Sequence, residues 1–311
     1  MVEIASASDL LVTELQSPWQ LSAVDARRIG ESLTKNGMAT IRNLLPVAAV
    51  EAMRQDALSC VRPGFDIGGF FGGSVASSVS AATVEFHHPF LLSASAVELA
   101  TLPALLDVVE AYLGQRAIVH HAVFQHSLPI DRPAVDWHVD TGSHKLLNGP
   151  TRFRDHRLRM IVYLTDVASG GLSYILDSRS ATDYFLSLPE GQLFPQHKVP
   201  QEGRVTANER AGTVMLFDTH GLHRPEPPRT PRLVLNVWFA RNDFSAALPP
   251  VLVSLANLPE RHGARSYVFR NARGFPPKLL PLGAGAQQVP AARGTLKSRL
   301  SRRIRRLLGG T

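Results

Sequence analysis

Cysteine, long apolar runs and unbalanced charge along the body are all scarce in this chain, and each shortage narrows what the protein can be. Cys60 is the single cysteine among 311 residues, which excludes an intrachain disulfide framework and any zinc site built from several thiolates. No run of about 18 uninterrupted apolar residues occurs, so no membrane-spanning helix is expected. The first residues carry Glu3 and Asp9 with no basic start and apolar run behind it, so no secretory signal is expected and the expected compartment is cytoplasmic.

The formal charge of +7 comes from 33 basic and 26 acidic residues. The stretch from Arg293 to Thr311 holds seven bases and no acid, which is the whole excess. The body is therefore neutral and gives no electrostatic footprint for nucleic acid. With 44% hydrophobic and 19% charged residues, 23 Gly and 22 Pro, the chain is neither disordered, collagen-like nor coiled coil.

Ser22 to Lys35 and Ala48 to Leu58 carry helix-spaced apolar residues, with the extended Ala39-Thr40-Ile41 between them. Val61 to Ala100 is rich in glycine, then in serine and alanine, and reads as a long surface loop or as a lid over a site. Leu102 to Leu113 is helical in pattern and stops at Gly114. Beyond it the texture turns to strands: Ala117 to Gln125, Leu158 to Thr165, Leu172 to Leu176, Thr213 to Phe217 and Arg232 to Phe239. Strands without intervening helices predict a mainly β, antiparallel double sheet or barrel with the helices packed outside. The expected organisation is one domain over 1–292, helical to about residue 114 and β to about 245, followed by a tail over 293–311. On a helix the tail sets Leu296, Leu300, Ile304, Leu307 and Leu308 against Arg299, Arg302, Arg305 and Arg306. Such a basic amphipathic segment suits peripheral contact with an anionic membrane, docking to a partner, packing on the body or disorder alike.

Trp137-His138-Val139-Asp140 is the first group that can carry chemistry, because alternate residues of an extended segment share a face. With 12 histidines present, chance gives about half a His-x-Asp per chain, so the pair needs a partner. The segment Leu216-Phe217-Asp218-Thr219-His220-Gly221-Leu222-His223-Arg224 offers one, as a strand followed by a turn with two histidines. Two imidazoles and one carboxylate make the facial triad that leaves open positions on non-haem Fe(II). Nothing physical in the sequence chooses between His220 and His223. Asp136 shares the face of His138 and reads as a supporting or solvated group.

At these residues the chain resembles the phytanoyl-CoA dioxygenase family of Fe(II)- and 2-oxoglutarate-dependent oxygenases, built on a double-stranded β-helix (jelly roll). The resemblance spans roughly residues 20 to 245. It rests on Asn36 to Leu45, His138-x-Asp140, Tyr163-Leu164-Thr165-Asp166-Val167 with Gly170-Gly171-Leu172, Leu216-Phe217-Asp218 with Leu222-His223-Arg224, and Arg232. It implies His138, Asp140 and His223 as iron ligands and Arg232 as partner of the distal carboxylate of 2-oxoglutarate. Tyr163, Gln125 and Thr213 are candidate helpers around the co-substrate or plain strand residues. The implied reaction consumes O2 and 2-oxoglutarate, releases succinate and CO2, and hydroxylates a small or lipid-linked substrate. Asp140 keeps the carboxylate ligand that halogenating relatives lack.

Two departures stand out. Where the family often has a Pro-Gly-Ser-His turn, this chain has Leu176-Asp177-Ser178-Arg179, and Pro225 replaces a hydroxyl residue two positions after the distal histidine. His144, Lys145, Arg152, Arg154, His156, Arg157 and Arg159 stand against the single acid Asp155, which suits an anionic substrate group or a solvated basic loop. The rival functions are a non-oxidative metal enzyme on a cupin-like fold and an inactive, membrane-targeted binding protein.

Overall fold

The computed structural model describes residues 12–61, 78–79, 83–140, 157–187, 194–242, 251–258, 265–269 and 273–275. The basic tail, the glycine-rich first part of the expected loop and most of the basic run after Asp140 lie outside the described residues.

The chain opens with β1 (Val12–Glu14), α1 (Ala23–Asn36), β2 (Met38–Arg42) and α2 (Val47–Cys60). Ser22 caps α1 by accepting a hydrogen bond from the Asp25 amide, and Gly37 ends it in the left-handed conformation at φ 78°. Then follow β3 (Ser78–Val79), β4 (Thr83–Phe86), α3 (Pro89–Leu92), α4 (Ala94–Ala100) and α5 (Pro103–Leu113). Residues 83–100 are thus a strand and two short helices, not the expected loop. Pro89 and the Ser93 cap start the helices, and Phe86, Phe90, Val97 and Leu99 drive them into the core with no exposed surface. The small residues between those anchors hide the pattern.

The β region holds β5 (Ala117–Ser127), β6 (Arg157–Tyr163), β7 (Leu172–Ile175), α6 (Ala181–Ser187), β8 (Arg204–Ala207), β9 (Val214–Asp218), β10 (His223–Pro225), β11 (Arg232–Arg241), β12 (Leu252–Ser254) and β13 (Arg273–Phe275). Eight strands form one sheet in the order β1-β2-β9-β6-β11-β5-β4-β3, antiparallel except for β1 with β2, and β10-β7-β8 form a smaller antiparallel sheet. This is the antiparallel double sheet that the strand pattern predicts and the jelly roll that the resemblance implies, with α1 to α5 packed on the large sheet's side and α6 beside the small sheet.

Period-two alternation sorts the side chains of the large sheet. Leu158, Met160, Val162, Leu216, Leu233 and Leu235 belong to a core that also takes in Ile29 and Leu33 of α1 and Leu105 and Val109 of α5. Ile161, Tyr163, Met215, Phe217 and Val234 face the other way and pack with Leu172, Tyr174 and Val205 of the small sheet. Arg159, Arg232, Asn236 and Gln125 alternate into this second set, which places polar groups inside a jelly roll whose other face is sealed by helices.

Candidate metal centre

His138 and Asp140 do not sit on a regular strand. They lie on an extended segment tied to the small sheet's edge: His138 and His223 donate their amides to each other's carbonyls, both at 3.0 Å, and the Asp140 amide donates to the Thr219 carbonyl at 2.9 Å. The alternation of Trp-His-Val-Asp turns Trp137 and Val139 into a small core with Ile175, Phe194 and Leu222, and so turns His138 and Asp140 to the opposite face. The guanidinium groups of Arg204 and Arg224 lie 5.3 and 5.0 Å from the centre of the Trp137 ring. Both arginines are bound to Glu226.

His138, Asp140 and His223 converge, with ligand atoms within 4.8 Å of one another. Asp140 Oδ1 lies 3.5 Å from His138 Nε2 and 3.6 Å from His223 Nε2. His138 Nδ1 lies 2.7 Å from the Asp136 carbonyl and His223 Nδ1 2.9 Å from the Gly221 carbonyl. A carbonyl only accepts, so each Nδ1 carries a proton and Nε2 is the nitrogen that each ring turns toward the centre. Burial, with His138 alongside, lowers the His223 pKa and keeps that ring neutral. Burial opposes the charge on Asp140, but the adjacent imidazoles and Arg159 outweigh it and hold the carboxyl well below its usual range. His223 Nε2 is buried with no hydrogen-bond partner. Two nitrogen lone pairs and a carboxylate oxygen around one point fit a divalent cation. His223 is 1% exposed, His138 28% and Asp140 23%, so the cluster opens on the side of the latter two.

His220 has another role. Its amide and Nδ1 both lie within 2.9 Å of Asp218 Oδ1, and Tyr112 donates to Asp218 Oδ2 at 2.5 Å. Thr182 donates to the His220 carbonyl, and Ser178 Oγ accepts from the Leu222 amide at 2.8 Å. This buried lattice fixes the turn that delivers His223. The departure from Pro-Gly-Ser-His is absorbed here: Asp177 adopts φ 53°, a left-handed conformation that aspartate tolerates better than most residues, and Ser178 keeps its hydroxyl on the turn. Asp136 contributes its carbonyl, while the residue itself is exposed.

Next to the cluster is a cavity of about 140 Å³ lined by Gln125, Tyr163, Arg232 and Asn236 among others. Arg232 opens β11, is 7% exposed, and donates to the Gly170 carbonyl and, at 3.1 Å, to Ser127 Oγ. Its Nε is buried without a partner, and burial lowers its pKa. Gly170 needs its φ of 82° to present that carbonyl, and a Cβ there would meet Pro228. Gln125 accepts from Asn236 Nδ2 at 3.1 Å. The Tyr163 hydroxyl is already engaged, donating to Ala207 and accepting from the Leu172 amide. Thr213 does not join them. It lies where the chain enters β9 and lines a separate depression with Asn43, Arg54 and Asp166. Pro225 lines the cavity. Of the basic run, Arg159 belongs to β6 rather than to a loop, and its side chain reaches the metal cluster; the two-residue alternation with Ile161 and Tyr163 is the signal that identifies it.

Among solved structures, the epimerase SnoN, crystallised with Fe3+, α-ketoglutarate and nogalamycin RO, has a TM-score of 0.52 at 16% identity, covering 71% of this chain and 85% of its own. AviO1 from Streptomyces viridochromogenes Tue57 has a TM-score of 0.50 at 16% identity, covering 74% of this chain and 99% of its own. These likenesses concern the fold. No curated protein matches the chain by sequence. Residues 33–234 match the phytanoyl-CoA dioxygenase (PhyH) family, and with well over half of its length matched the chain belongs to that family of Fe(II)- and 2-oxoglutarate-dependent enzymes.

Proposed function

We propose that the protein is a dioxygenase that hydroxylates a small organic substrate, with His138, Asp140 and His223 holding Fe(II) and Arg232 anchoring 2-oxoglutarate. The observation that carries this reading is the shared cavity. His138 and His223, two of the three converging ligands, line the same small cavity as Arg232, whose Nε is buried without a partner. Iron with bound 2-oxoglutarate supplies O2 activation, coupled to oxidative decarboxylation of the co-substrate to succinate and CO2.

The chain's own residues do the positioning. Gly170 and Ser127 hold two nitrogens of Arg232 in place, so the guanidinium meets a carboxylate without reorganising. Ile161, Leu172 and Val234 wall the cavity with apolar surface, which excludes water from the reacting groups. About 140 Å³ suits a five-carbon dicarboxylate rather than a drug-sized ligand, whose pockets run to about 300–1,000 Å³. The organic substrate then approaches from the side where His138 and Asp140 are exposed. Asp140 occupies the ligand position that a halide would need, which supports hydroxylation over halogenation.

The test is an anaerobic titration of apo-protein with Fe(II) and 2-oxoglutarate, following the visible metal-to-ligand charge-transfer band. A band that disappears in His223→Ala supports the reading. A folded, metal-loaded protein without the band overturns it in favour of non-oxidative metal chemistry, and a protein that binds neither component is a binding protein on this fold.

A further inference from the structure

Arg159 is a partly buried cation, its side chain 16% exposed, on the face of the sheet that it shares with Ile161 and Tyr163. Its guanidinium lies 4.1 Å from the ring centre of Trp238 and 5.7 Å from that of Phe217. Nε and Nη2 both donate to Asn236 Oδ1, at 3.2 and 2.8 Å, and Asn236 Nδ2 in turn donates to Gln125 Oε1. The register explains this ladder. Arg159 lies opposite Trp238, and Asn236 is two residues along β11 on the same face, so the long arginine reaches its diagonal neighbour. Trp238 and Asn236 on β11 and Phe217 on β9 thus hold one guanidinium, with Gln125 on β5 orienting Asn236, and its remaining arm, Nη1, points at Asp140 Oδ2 from 3.9 Å.

The two oxygens of Asp140 are therefore divided. Oδ1 faces both imidazoles, while Oδ2 faces Arg159. We propose that Arg159 is a positioning residue that keeps Asp140 a one-oxygen ligand, by holding Oδ2 away from the metal. This rests on the proposed metal site. Coordination arithmetic gives it a function: two imidazoles and one oxygen leave three of six positions, two for a chelating 2-oxoglutarate and one for O2. A carboxylate bound through both oxygens would take one of those three. The aromatic clamp and the Asn236 contact let a desolvated arginine stay in place next to a metal ligand, and the charge on Asp140 compensates its own.

The test uses the full chain, titrated anaerobically with Co(II), with affinity from competition and coordination from the visible spectrum. Wild type and His223→Ala come first. Equal Co(II) binding in the two removes the metal site itself, and this inference with it. Given His223-dependent binding, Arg159→Gln is expected to keep Co(II) bound but to change its visible spectrum, as the freed Oδ2 joins the metal, with Arg159→Lys recovering part of the wild-type spectrum. A folded Arg159→Gln protein with the wild-type spectrum overturns the proposal while leaving the metal site standing. Should Arg159→Gln not fold, Asn236→Ala decides. It keeps the charge but frees the fork, so an altered spectrum supports the role, and an unchanged spectrum overturns it.

Discussion

His138 and His223 are joined by both of their backbone hydrogen bonds, each amide donating to the other's carbonyl at 3.0 Å, although 84 residues of chain lie between them. Their rings stand 4.3 Å apart between centres, inclined by 51°. The ligand pair is thus set by main chain, before any metal arrives. Each Nδ1 is then fixed by a carbonyl two residues earlier, so the ring orientations follow from the same segments.

Because His220 serves Asp218 rather than the metal cluster, His220→Ala should retain the charge-transfer band that His223→Ala loses. It should still destabilise the protein, by about 1–3 kcal/mol, since a buried carboxylate loses its imidazole partner. Spectral titration and urea unfolding of the same variant separate the two effects.

Arg232→Met should leave Fe(II) binding intact and weaken 2-oxoglutarate by on the order of a hundredfold, the worth of about 3 kcal/mol for a charge-assisted pair. The concentration of 2-oxoglutarate at half-maximal band intensity reports this directly. An unchanged value would show that another cation anchors the distal carboxylate.

Gly221 has no room for a side chain, because a Cβ there would overlap the hydroxyl and ring of Tyr174. Tyr174 is fully buried and donates to the Asp218 carbonyl at 3.1 Å, so it has nowhere to retreat. Gly221→Ala should cost about 1–3 kcal/mol by overpacking and weaken metal binding as well, because the Gly221 carbonyl orients His223. Thermal unfolding with and without Co(II) measures both.

Acid should expose the Asp218 lattice. Burial raises the Asp218 carboxyl's pKa, but the bonds from His220 and Tyr112 outweigh it, leaving it below its ordinary value in the folded protein. Such a group stabilises the fold above the unfolded carboxyl's pKa of about 3.9, and that stability is lost as pH falls from there through the folded-state value. Urea unfolding of apo-protein from pH 6 downward should therefore show a steeper decline below about pH 4 in wild type than in Asp218→Asn. Parallel curves would place the acid sensitivity elsewhere.

By itself the sequence determined the kind of fold and the candidates for the site. Alternation in the strands from Ala117 onward, the two-residue spacing of His138 and Asp140, and the order of His223 and Arg232 behind them are local or serial features that survive in a linear reading. Tertiary structure decided what depends on contact between distant segments. Whether His220 or His223 meets Asp140 turned on Tyr112, from α5, helping Asp218 to capture the nearer imidazole. Arg159 reads as part of a basic run until the sheet's alternation turns it inward onto Trp238 and Asn236. Thr213 shares the strand texture but lines a different depression, and residues 83–100 look loop-like because small residues separate their buried anchors. In each case the residue type permits two environments, and the neighbour brought in from another strand or helix selects one.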